Sequence, residues 1–263
     1  MSKFTVIFIL AAPKSGSTLL QILLSKNKST FAIGERQIPS DKMNCSCGKN
    51  VKNCQFWSKI IEKNENKILN FFSPKTHLET YIFFNEINNL SSKNFIIDNS
   101  KNTIFLKNCL LNNNYFNLKI VGLIRNPIEI IDAQKKKRII HDGKKGMSIF
   151  KTSKMIFGYT IAQILLYKKL SSIIFYKNLI NSPLKEINYT LDKLSLDTVE
   201  NLDVLKDDTH LIGGSGYRGN YNQVFSNINV KNLNKLEIIY SYILNIPTFI
   251  LIGFLKILNK LQK

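Results

Sequence analysis

Arginine is scarce in this chain: Arg36, Arg125, Arg138 and Arg218 are the only four among 37 basic residues. Acidic residues are few as well, 18 in 263, which leaves a formal net charge of +19. Such a balance points first to nucleic acid or an anionic membrane surface. The lysines, however, are scattered among many asparagines and isoleucines, a pattern that AT-rich codon usage also writes, so charge alone selects no partner. Arginine retained in so lysine-biased a chain marks positions where a rigid bidentate fork matters, as on phosphate or carboxylate, and this singles out Arg125 and Arg218.

Cysteine is equally sparse. Cys45, Cys47 and Cys54 lie close together and Cys109 far along, which gives no sign of an oxidising compartment. The spacing Cys-x-Cys-x6-Cys offers three thiols, one short of a closed tetrahedral zinc site, with no histidine nearby in sequence. A reducible disulfide or packed thiols is the reading that follows. A signal peptide is not expected either. The apolar run after Lys3 is short, and cleavage after Ala12 would part the first strand from the loop it feeds; the expectation is an uncleaved cytoplasmic protein.

The chain is organised around residues 4–24, FTVIFILAAPKSGSTLLQILL. A β-branched apolar run, a small-residue loop and leucines at helical spacing predict strand, loop and helix. Unpaired N–H groups of the helix's first turn then face out of the strand's end and suit a phosphate. Aligning Gly16 and Thr18 with the end of the triphosphate loop GxxxxGK[ST] puts Ala11 at its first glycine and Ser17 at its lysine, so that match fails twice. The lysine here is Lys14, two residues before Gly16.

Further along, residues 29–38 predict an extended segment turning at Gly34, with Glu35 either a general base folded back over the loop or a loop carboxylate paired with a lysine. Helical patterns cover Phe56 to Phe72 and then 78–90. A short buried strand at 95–98 leads into Asn99, Ser100 and Lys101, on the rim where open α/β sheets bind ligands. The strand at 118–124 ends on Arg125, Asn126 and Pro127, a helix start. The run QKKKR at 134–138 reads as a solvated helix end. A long helix in 147–170, a strand at 171–176, a helix at 183–196 and a glycine-rich loop closing on Arg218 complete the core. The tail, 238–255, is strongly apolar around Pro247 and predicts a packed hairpin or a helix lying in a membrane interface.

Seven motifs in order, PKSGST, GER, CSCG…CQFW, IIDNSK, LIRNP, FYKNL and HLIGGSGYR, resemble the sulfotransferases that use 3′-phosphoadenosine 5′-phosphosulfate (PAPS), especially the bacterial carbohydrate-type branch, over about the first 225 residues. The resemblance implies that Lys14, Ser15, Gly16, Ser17 and Thr18 hold the 5′-phosphate and sulfonate, and that Arg125 with the flap containing Gly214 and Arg218 holds the 3′-phosphate. It also implies that Glu35 is the base and that Lys14 and Lys101 are catalytic cations, with PAPS as co-substrate and no metal in the reaction. Ala133, Ser215 and the stretch Tyr176, Lys177, Asn178 depart from the family's pattern, leaving more of the 3′-phosphate to the two arginines.

The expected architecture is a three-layer, P-loop-type α/β fold, a mostly parallel sheet flanked by helices, in residues 1–230, followed by a lysine-ended helical tail in 231–263. The expected function is sulfonate transfer to a hydroxyl of a sugar, glycolipid or similar acceptor, without nucleic acid, in the cytoplasm, with membrane contact through the tail. The alternatives are a small-molecule kinase with a degenerate phosphate loop and a non-catalytic basic protein that binds membranes or polyanions.

Overall fold

Seven consecutive buried residues, Thr5–Ala11, form β1 at the centre of a five-stranded sheet. The computed structural model describes residues 4–35, 43–64, 72–111, 114–140, 147–202, 210–213 and 230–261. The other strands are β2 (Thr30–Gly34), β3 (Phe95–Asp98), β4 (Asn117–Ile124) and β5 (Leu170–Phe175), in the spatial order β2-β3-β1-β4-β5, every pair parallel. A central parallel strand is covered on both faces, which is why β1 reads as an unbroken apolar run rather than an alternating one.

The alternation is still present as two separate cores. Val6, Phe8 and Leu10 face an aromatic cluster with Trp57, Phe83, Phe84, Phe105 and Phe116, whereas Ile7, Ile9 and Ala11 face the leucines of α1 and Leu179, Ile187 and Leu191. α1 (Ser17–Leu24), α7 (Tyr176–Asn181) and α8 (Pro183–Lys193) lie on the second side, while α2 (Trp57–Lys63), α3 (His77–Ser91) and α4 (Thr103–Leu110) pack on the first. α3 begins with a reciprocal capping box between Thr76 and Glu79, worth about 1 kcal/mol by the usual cost of losing a cap.

α5 (Pro127–Ile140) and α6 (Ile149–Leu165) lead to the tail helix α9 (Lys235–Leu261). The tail is one continuous helix and not a hairpin. Pro247 is exposed, so the hydrogen bond it forfeits falls on the outer side of the helix, near exposed Ile243. α9 docks on α6 and α5 through Ser241, Asn245, Thr248, Ile252, Leu255 and Asn259. Asn245 donates to Ser153 Oγ at 2.8 Å, and Tyr167 OH donates to the Leu258 carbonyl at 2.7 Å.

The chain leaves β1 toward β2 on one side and β4 toward β5 on the other, so β1 and β4 flank a topological switch point. The crevice beyond their carboxyl ends is where ligands bind in open α/β sheets. The loop after β1 and Arg125 after β4 both stand there.

Candidate functional site

Between β1 and α1 the backbone takes the left-handed conformation twice, at Lys14 (φ 70°) and Gly16 (φ 96°). The second requires glycine on packing grounds as well. A Cβ at Gly16 would stand 2.2 Å from Tyr176 Cε2. The Ser15 N–H closes the turn onto the Ala12 carbonyl at 3.1 Å. Its hydroxyl, on a residue 1% exposed, has no hydrogen-bond partner among the described residues. A buried hydroxyl left unmade costs about 1–3 kcal/mol, and at a helix N-terminus an anion is the partner that would satisfy it.

Arg125 braces this loop. Its Nη1 donates to the Lys14 carbonyl at 3.0 Å, its Nε donates to Glu129 Oε2 at 2.8 Å, and its guanidinium lies 4.3 Å above the Tyr176 ring. Tyr176 thus lies against both Gly16 and Arg125, tying the start of α7 to the loop. The resemblance gives Arg125 the 3′-phosphate; in the structure its fork is engaged by Glu129 and the Lys14 carbonyl, so it sets the loop's shape.

The opposite wall comes from β2 and β3. Glu35 follows the last residue of β2, its N–H donating to the Ile212 carbonyl at 2.7 Å. Gly34 permits that approach, since a Cβ there would meet the Ile212 oxygen at 2.2 Å. Lys101 Nζ donates to Glu35 Oε1, with side chains only 10% and 25% exposed respectively. Glu35 is thus paired with a lysine and stands beside the crevice. Lys101 is itself in the left-handed region (φ 58°), and its carbonyl accepts a hydrogen bond from Tyr159 OH at 2.6 Å. Asp98 Oδ1 holds the turn before it by accepting from the Ser100 N–H at 2.6 Å.

The electrostatics link the two walls. Burial lowers the Lys14 pKa below the ordinary lysine value, the charge of Lys137 and, more weakly, that of Lys101 push the same way, and Glu35 opposes them. Cationic Lys14 is thus costly in the empty crevice, and an anion arriving beside it would relieve the repulsion. Burial raises the Tyr159 pKa, and the Glu35 charge raises it further.

The structure brings Lys14, Ser15, Gly16, Ser17, Thr18, Arg125, Glu35 and Lys101 to one end of the sheet. Gly214 and Arg218 lie outside the described residues. Four contributors were given no site role by the sequence reading: Asn99, noted only on the rim, Tyr176, noted only as a departure from the family's pattern, Tyr159 and Lys137. Asn99 is fully buried, and both its side-chain polar atoms lack a hydrogen-bond partner among the described residues; its place in the Asp-Asn-Ser-Lys turn was the available signal. Lys137 sat in a run read as solvated. Tyr159 lies on a helix whose apolar pattern gave no reason to prefer one tyrosine.

Of the two readings of the thiols, a disulfide or packing, the structure shows packing, with Cys45 and Cys54 buried in the core. None of the four cysteines is in a disulfide, and His210 joins the trio from far along the chain. Burial pushes the Cys45 thiol up; at Cys47 burial is outweighed by hydrogen bonds from the Lys49 N–H and the neighbouring thiols, which pull it down. The reaction scheme calls for no metal, but three thiols and an imidazole form a donor set that suits one.

No protein-family model matches the chain, and no curated protein matches it in sequence. Solved structures do match in fold. The sulfotransferase domain of the Synechococcus PCC 7002 olefin synthase is 14% identical, with 91% of this chain and 94% of that chain covered and a TM-score of 0.56. The sulfotransferase domain from the curacin biosynthetic pathway is 15% identical over 77% of each chain, with a TM-score of 0.51. The chain has a sulfotransferase-like fold.

Proposed function

We propose that this protein transfers a sulfonate group from PAPS to a hydroxyl of a sugar, glycolipid or similar acceptor. The observation that carries the reading is the meeting of the Glu35–Lys101 pair with the phosphate loop and Lys14 at the carboxyl end of the sheet. Glu35 takes the acceptor's proton as its oxygen bonds to sulfur, and the bond from sulfur to the bridging phosphate oxygen breaks. Lys14 and Lys101 offset charge on the sulfonate and on the departing phosphate, and 3′-phosphoadenosine 5′-phosphate (PAP) leaves. The orphaned Ser15 hydroxyl and the N–H groups of α1 receive the 5′-phosphate. The kinase reading has less support, since Ser17 stands where a triphosphate loop carries its lysine.

A second feature favours an acceptor at a lipid surface. α9 turns Ser241, Asn245, Thr248 and Asn259 inward together with Ile252 and Leu255, and its apolar row, Ile239, Ile243, Ile246, Ile250, Phe254 and Ile257, outward. So apolar an outer row is unusual for a helix docked on a globular domain. The helix is long and apolar enough to cross a membrane by length and composition, but its inward row is docked along α6. Exposed Lys256 and Lys260 beside the outer row suit anionic headgroups. Beside α9 opens a cavity of about 700 Å³ lined by Ile131, Ile139, Phe150, Tyr240, Arg138 and the ion pair of Lys135 with Glu237, an apolar space in which Arg138 is the cation left to meet the headgroup of an anionic amphiphile.

The test is sulfonate transfer from radiolabelled PAPS with two acceptor pools, glycolipid in anionic vesicles and free oligosaccharide. Label should enter the vesicle-borne pool, and Ile246→Asp with Ile250→Asp should weaken vesicle binding and that transfer together, leaving PAP affinity unchanged. Wild-type protein that ignores anionic vesicles and labels only the free pool would overturn the lipid-surface reading. Label entering neither pool would count against the acceptor class.

A further inference from the structure

We infer that Cys45, Cys47, Cys54 and His210 form a closed, four-coordinate zinc site that pins the chain carrying Glu35. The proposal concerns a structural metal and stands independently of the transferase reading.

The donor atoms already have the shape. The three Sγ atoms and the imidazole nitrogen all lie within 4.8 Å of one another. Cys47 Sγ and Cys54 Sγ are 3.8 Å apart, Cys54 Sγ and His210 Nδ1 3.2 Å, and Cys45 Sγ and His210 Nδ1 3.7 Å. A tetrahedron with the usual zinc–sulfur and zinc–nitrogen bond lengths has edges of about 3.8 Å between sulfurs and about 3.6 Å between sulfur and nitrogen. The three measured edges lie within a few tenths of an ångström of these values, and no pair in the cluster is more than about an ångström too long to close on an ion.

The backbone around it is arranged to present the sulfurs. The Cys45 N–H donates to the Lys49 carbonyl at 2.9 Å and the Gly48 N–H to the Cys45 carbonyl at 3.0 Å, closing a tight loop. Gly48 takes the left-handed conformation (φ 84°) that glycine adopts without strain. A short 3₁₀ turn, Val51–Asn53, then delivers Cys54 to the same point.

His210 is positioned with equal care from the other side. Its ring stacks on Phe56, 5.5 Å between centroids and 10° between planes, and its carbonyl accepts from Trp57 Nε1 at 2.6 Å. The Ser46 N–H donates to the Leu211 carbonyl at 3.1 Å, and the Leu211 N–H donates to Ser46 Oγ at 2.9 Å. These contacts hold the imidazole over the thiol loop.

Three thiolates and an imidazole select zinc among common divalent ions, because soft donors in a tetrahedron disfavour magnesium and calcium. Four protein ligands leave no open position, so the ion would be structural. Its consequence reaches the crevice through two residues. Ile212, two places beyond His210, receives the Glu35 N–H at 2.7 Å and donates its own N–H to the Ile33 carbonyl at 3.1 Å. A metal that anchors His210 thereby fixes the edge along which Glu35 is aligned.

Metal content of the full-length protein, purified without chelator, tests this. Elemental analysis should find one zinc per chain. Cobalt substitution should give thiolate-to-metal charge-transfer bands with tetrahedral d–d bands, and zinc should protect three thiols from iodoacetamide. Returning zinc to chelator-stripped wild-type protein should raise its melting temperature, which keeps the test informative if a cysteine variant fails to fold. His210→Ala should weaken zinc binding at least tenfold and alter the cobalt spectrum, which binding by loose thiols would not. Cooperatively folding wild-type protein that neither carries nor takes up zinc would overturn the proposal, as would a Cys47–Cys54 disulfide in the native protein or a different metal in the site.

Discussion

Replacing Glu35 by glutamine should lower turnover by roughly 10²- to 10⁴-fold, the range for loss of a general base, with PAP affinity nearly unchanged. The substitution is conservative in shape: the amide oxygen still accepts from Lys101 Nζ, and the Ile212 carbonyl still receives the backbone N–H. What disappears is the capacity to take a proton. The ion pair with Lys101 orients the carboxylate in the resting site, and an acceptor hydroxyl must share or displace that contact. Lys101→Met should therefore impair turnover as well, through loss of both orientation and positive charge. Single-turnover measurements at saturating PAPS separate this from binding. Equal rates for wild type and Glu35→Gln would remove Glu35 from the mechanism.

Gly16→Ala should abolish measurable PAP binding. Its added Cβ falls 2.2 Å from Tyr176 Cε2 at a residue with φ 96°. The strain of left-handed backbone at a residue with a Cβ is about 1–2 kcal/mol, and overpacking adds about 1–3 kcal/mol. The loop can escape only by moving away from Tyr176, which carries the N–H groups of α1 with it, and Arg125 follows through its contact with the Lys14 carbonyl. Adding Tyr176→Leu should recover part of the lost stability, because the clash is specific to the ring. A double variant no more stable than Gly16→Ala alone would show that backbone strain, not the ring, is the obstacle. Gly16→Ala with wild-type PAP affinity would contradict the assignment of the loop.

β1 and its loop were legible because the physics is local: a doubly covered strand must be apolar throughout, and a backbone approached by an anion or a ring must be small. Arg125 stood out by rarity, and its position on the end of β4 follows from the apolar run before it. His210 could not be read beside the thiols, because it lies 156 positions beyond Cys54, and long-range contacts such as the pairing of Ile212 with the edge of β2 bring it there. The same holds for Tyr176, whose contact with Gly16 depends on β5 ending beside β4. In α9 the apolar composition was visible, but composition does not reveal which row faces the domain. Which row faces inward is set by the docking on α6, where Asn245 donates to Ser153 Oγ.

The most direct measurement is the thermal stability of the purified protein with PAP, beside Mg·ATP and AMP, since it needs no knowledge of the acceptor. PAP at about 100 times its dissociation constant should add about 2.7 kcal/mol, a rise of roughly 5 to 10 °C in melting temperature for a domain of this size. Mg·ATP and AMP should give little. A shift with Mg·ATP and none with PAP, or no shift with any of the three, would contradict the account.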